Sequence, residues 1–157
     1  MSNEEQEGIK QRAYAESMRY MNNAKETLQK ARKEDNFYTD KKYVRTACGT
    51  AYNGVLLALD AYFELKGVEM PQKKKHKSIE FYMIEAGKLD GKLSKELHAA
   101  YRILHIDGYY EGILKASVIR DGFASAYEII NKIKPIHVLE LPPAKPSILN
   151  KMFTPFF

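Results

Sequence analysis

Three side chains in the second half of the chain have the right types for handling a phosphodiester: His98, Arg102 and His105. They stand at i, i+4 and i+7, which on a helix gathers them on one side. Leu93, Leu97, Ala100, Tyr101 and Leu104 make the apolar side, and Asp107, Tyr109 and Tyr110 follow at the helix end. A guanidinium grips phosphate oxygens bidentately. An imidazole titrating near neutrality can move a proton. The same residues also make an ordinary solvated helix face, and no further residue in the sequence supplies a second catalytic partner. A metal site is a poorer fit. His98 and His105 lie two helical turns apart, about 10.5 Å along the axis, too far to share one ion. Asp107 and Glu111 complete no recognised ligand spacing, so neither a metal nor a cofactor is expected.

A second candidate is the run Lys73, Lys74, Lys75, His76 and Lys77, just after Met70 and Pro71. Its lysines could contact nucleic-acid phosphates as point charges, or simply keep a loop soluble. A third is Asp60, which with Asn53 interrupts an otherwise apolar helix. Asp60 is expected to pair with Arg120, as a buried polar pair that fixes helix register; a pocket built around Asp60 and Asn53 is the alternative. The single cysteine, Cys48, can form no internal disulfide and reads as a small packing residue. The 11 tyrosines are spread along the helices, as core or interface residues, rather than gathered into a base-stacking platform.

The elements that must position these groups are helices. Tyr43 to Leu65 is apolar around most of its circumference, with only Lys42, Thr46, Asn53, Asp60 and Glu64 as a polar stripe, so other helices must wrap it. Before it, Glu4 to Lys33 reads as a helix with a seam of Tyr14, Met18, Met21 and Leu28, flanked by Ala24 and Ala31. Asp35-Asn36 ends that helix. Thr39 or Asp40 caps the central helix, and Gly67 closes it. Ser78 caps a short helix from Ile79 to Ala86, closed by Gly87, and Asp90-Gly91 reads as a turn. A fourth helix runs from Leu93 to about Ile106, where Asp107-Gly108 interrupts it. A fifth runs from about Tyr110 to Lys134 and stops at Pro135. The expected fold is all-α: an up-and-down bundle of about five helices over residues 1–134. Residues 135–157 carry five prolines yet remain apolar, and are expected to lie as an extended strap on the bundle or on a neighbouring subunit.

The order of these segments carries a family resemblance. AYNGVLLALDAYFELKG, a charged loop with His76, a short helix ending in glycine, LHAAYRILHIDGYYEG and IRDGFASAYEIINKI together resemble the HEPN group of small helical bundles, over roughly Thr39 to Lys134. The resemblance implies a helical bundle, often dimeric. Members include ribonucleases and non-catalytic partners of nucleotidyltransferases. Catalytic members carry an arginine followed, at a longer spacing, by a histidine at a helix end. Here Arg102 matches the arginine, but His105 follows after only Ile103 and Leu104.

Composition sets the outer bounds. The chain has 157 residues, 45% hydrophobic and 29% charged, enough to enclose a core and too apolar to be disordered. A net charge of +5 permits nucleic acid as a partner without requiring it. The most apolar stretch, Gly54 to Leu59, stops at Asp60, so no membrane span is expected. The N-terminal MSNEEQEGIKQR lacks the apolar core of a signal peptide, and a cytoplasmic protein is expected. Three functional readings follow. The first is a non-catalytic HEPN-like binding or interaction module, as a homodimer or with another protein. The second is a metal-independent ribonuclease using Arg102 with His98 or His105. The third is a nucleic-acid binder, RNA included, acting through Lys73 to Lys77.

Overall fold

The computed structural model describes residues 1–71 and 77–138. Helix α1 (Asn3–Gln29) opens in a capping box: the Ser2 hydroxyl accepts from the Glu5 N–H at 3.1 Å, and the Glu5 carboxylate reaches back to the Ser2 N–H. Its seam is the expected one, with Met21, Ala24 and Ala31 fully buried and Tyr14, Met18 and Leu28 packed against the core. The helix stops earlier than Lys33. Arg32 and Asp35 take left-handed backbone angles (φ 50° and 56°), and the chain turns through a small hairpin, β1 (Lys33–Glu34) against β2 (Phe37–Tyr38).

Helix α2 (Lys41–Leu65) is the central element. Asp40 caps it by accepting from the Lys42 N–H at 3.0 Å, and Gly67 closes it at φ 71°. It packs against α1 on one side and against later helices on the other. Leu59, Phe63, Val44 and Val55 are fully buried along it.

Helix α3 (Ile79–Leu89) is capped by Ser78, whose hydroxyl accepts from the Phe81 N–H at 3.2 Å. It runs through Gly87 rather than ending there. Asp90-Gly91 is no separate turn: Asp90 ends α3 and caps α4 (Gly91–Ala100), accepting from the Lys92 and Leu93 N–H groups. The same carboxylate binds Lys132 Nζ at 2.7 Å, which ties the start of α4 to the end of the last helix.

Helix α4 does not break at Asp107-Gly108. It widens into a π-helix over Tyr101–Tyr110. Gly108 makes this possible: a Cβ there would lie 2.5 Å from Cys48 Sγ, so the wider turn meets α2 at a contact only glycine allows. Cys48 is buried at this contact, the packing role expected of it.

Helix α5 (Ala116–Ile130) starts later than Tyr110. Residues before it are held extended by the hairpin, since Tyr38 N–H donates to the Leu114 carbonyl at 2.8 Å and Ala116 N–H to the Asn36 carbonyl at 2.9 Å. A 3₁₀ turn, Asn131–Ile133, finishes it. Ile119, Ile129, Ile130 and Ile133 seal the core against α4 and α2. The architecture is the expected all-α up-and-down bundle of five helices, with the hairpin as its one addition. No helix among the described residues is long and apolar enough to cross a membrane.

After Pro135 the chain returns along the N-terminal half of α1. The Ile136 N–H donates to the Glu7 carboxylate at 3.0 Å, and the His137 carbonyl accepts from the Gln11 amide. The strap expected beyond Val138, and Lys73, Lys74 and Lys75, lie outside the described residues.

Candidate functional site

The three residues that α-helical periodicity places together have different surroundings. His98 is exposed on α4, and its Nδ1–H donates to the Ser94 carbonyl at 2.8 Å. Arg102 is exposed, with no hydrogen bond or ion pair among the described residues. His105 lies inside the π-helix, where the wider turn lines it up with residues four before and four after it. Its ring stacks on Tyr101 at 5.4 Å between centroids and on Tyr109 at 6.0 Å. Tyr52 of α2 stacks on it at 4.6 Å, and Tyr110 meets it edge-on at 4.9 Å. Burial among these rings lowers the His105 pKa below its ordinary value.

Helix α2 supports this group with three residues at one face. Arg45 Nε donates to the Tyr109 carbonyl at 2.8 Å, and Gly49 leaves room for the Tyr109 ring, which a Cβ there would meet at 3.0 Å. Tyr52 is nearly buried, and its phenol pKa is pushed up to about 12 by burial and then by Tyr101. The tyrosines are therefore not merely dispersed. Four of them crowd around one imidazole, and the signal was present as aromatic rings at 101, 105 and 109, spaced by four.

Chemically, this is an imidazole among phenols, its neutral form favoured by burial. Among the described residues no carboxylate is bonded to it, and Arg102 is exposed to solvent. Cys48 supplies no nucleophile, because burial pushes its thiol up to about 12. Among the described residues no group of three or more histidine, cysteine, aspartate or glutamate side chains is placed to hold a metal ion.

Asp60 does not pair with Arg120. It is half-buried and faces the start of α3, where it accepts from Tyr82 Oη at 2.7 Å and binds Lys77 Nζ at 2.8 Å. Burial, and then the bond to Asp60, holds the Tyr82 phenol well above its usual range. Arg120 is exposed on α5, facing the hairpin. Of the lysine run, the described Lys77 is thus committed to an ion pair.

What stands exposed near the tyrosine group is aromatic. Tyr110 is 59% exposed, Tyr109 42% and Phe37 of the hairpin 53%. The bonds from Tyr38 to Leu114 and from Arg45 to Tyr109 hold the hairpin, the start of α2 and the end of the π-helix at one end of the bundle. Charges of both signs surround these rings there: Lys41 and Lys115 with Glu34 and Glu111, all exposed.

A family model described as a domain of unknown function, DUF5618, matches residues 12–135. Among solved structures, a protein of unknown function from Dyadobacter fermentans is 38% identical, with a TM-score of 0.69, over 79% of this chain and 94% of that one. No curated protein matches the chain.

Proposed function

The chain belongs to the DUF5618 family, and we propose that it acts as a non-catalytic binding module that pairs with a second copy of itself through the aromatic end of the bundle. The observation that carries this reading is the exposure of Phe37, Tyr109 and Tyr110 together at that end. Exposed tyrosines and phenylalanines packed on a rigid base are the residues that dominate protein interfaces. A two-fold interface must also complement itself. Lys41, Lys115, Glu34 and Glu111 suit that need, since a patch of one sign would repel its copy. The resemblance to often-dimeric helical bundles points the same way.

The ribonuclease reading is less well supported. It needs Arg102 and a histidine to converge on one phosphate, whereas His105 is enclosed by tyrosines and His98 is tied to its own helix. Sedimentation equilibrium on the full chain tests the proposal. We expect a reversible dimer, converted to monomer in Tyr109→Ser/Tyr110→Ser with unchanged helical circular dichroism. A wild-type chain that stays monomeric at every concentration would overturn it.

A further inference from the structure

We propose that the groove between the end of α1, the β-hairpin and α5 is a binding site for a small organic anion with an aromatic body. It is separate from the aromatic end and rests on different observations. The groove has a volume of about 610 Å³, within the range typical of small-ligand sites. Its floor is apolar, made by Leu28, Ile119 and Phe123, and Tyr38 and Tyr127 form its walls. Such a surface takes a flat ring by stacking and burial.

The rim is cationic. Lys25, Arg32, Lys33 and Arg120 all line the groove, no carboxylate does, and none of the four is in an ion pair among the described residues. Four like charges around one apolar hollow repel each other, and a bound anion relieves that repulsion. Arg32 and Arg120 are the pair suited to fork onto a phosphate, sulfonate or carboxylate.

Two further features mark the groove. Arg32 sits at φ 50°, in the left-handed region that glycine occupies without strain. Its carbonyl accepts from the Thr39 N–H, so the strained residue is held where the hairpin meets α1. At the wall, Tyr127 Oη is buried with no hydrogen-bond partner among the described residues, and the Lys25 ammonium lies over the Tyr127 ring at 5.4 Å. A buried phenol without a partner is costly. An anion that draws Lys25 aside opens this hydroxyl to an acceptor atom of the ligand.

Titration of the full chain with anilinonaphthalene sulfonate, followed by fluorescence, tests the site. We expect saturable binding of one probe per chain. Phenyl phosphate should displace it, while phenol and inorganic phosphate at equal concentration should not. Arg120→Gln and Arg32→Gly should each weaken probe binding roughly tenfold, and Lys95→Gln, outside the groove, should leave it unchanged. Arg32→Gly relieves backbone strain, so weaker binding in that variant cannot be put down to misfolding. Non-saturating binding, binding unchanged in both arginine variants, or displacement by phenol as well as by phenyl phosphate would each overturn the proposal. Displacement by decanoate but not by phenyl phosphate would overturn the aromatic body.

Discussion

Burial among phenols links the protonation of His105 to folding. Its pKa is lowered on folding from the ordinary 6.5, so the unfolded chain binds this proton more readily than the folded one. The contribution is therefore fully present above about pH 6.5 and is lost as pH falls through the lower folded value. We expect the melting temperature to drop as pH falls from 7 to 5, and His105→Phe, which keeps the stack and removes the proton, to flatten that drop. An unchanged slope in His105→Phe would remove His105 from this role. Arg32 carries the second residue-scale prediction. Arg32→Gly should raise stability by on the order of 1 kcal/mol in urea unfolding, by relieving a left-handed non-glycine backbone. The sequence marked His98, Arg102 and His105 as chemically interesting, but regular α periodicity put all three on one face. The π-helix is what turns His105 toward α2, and nothing in local propensity announces it.

Among the elements, the π-helix meets α2 with no room for one more atom. A Cβ at Gly108 would fall 2.5 Å from Cys48 Sγ and 2.6 Å from its Cβ. Gly108→Ala should destabilise the fold by about 1–3 kcal/mol, as overpacking does. The disturbance should appear first in the tyrosine group, as a change in near-ultraviolet circular dichroism. A variant as stable as the wild type, with the same spectrum, would mean that α2 and the π-helix are not in close contact. Asp-Gly at 107–108 reads as a helix break because both residues favour turns. Tertiary packing overrides that preference here. Two cap residues were legible, Asp40 and Ser78, each accepting from a helix N-terminal N–H; Ser2 and Asp90 do the same, but Asp90-Gly91 reads as a turn because both residues favour one. The hairpin was not, since two-residue strands leave no periodicity to read.

At the scale of the whole molecule, the central helix determined what could be read in advance. A segment apolar around most of its surface must be surrounded, and α1, the π-helix and α5 do so. Long-range pairing was less accessible. Asp60 and Arg120 both border apolar faces, yet Asp60 meets Lys77 and Tyr82 because α2 presents it to the start of α3. Two surfaces then stand apart from the core, an aromatic end of mixed charge and a cationic groove, and neither needs a catalytic group. The measurement that tests this account most directly is incubation of the full chain with single-stranded RNA at low salt, beside Arg102→Ala and His105→Phe. The account predicts intact RNA in all three. Cleavage by the wild type that disappears in both variants would contradict it, and would place Arg102 and His105 in a working pair.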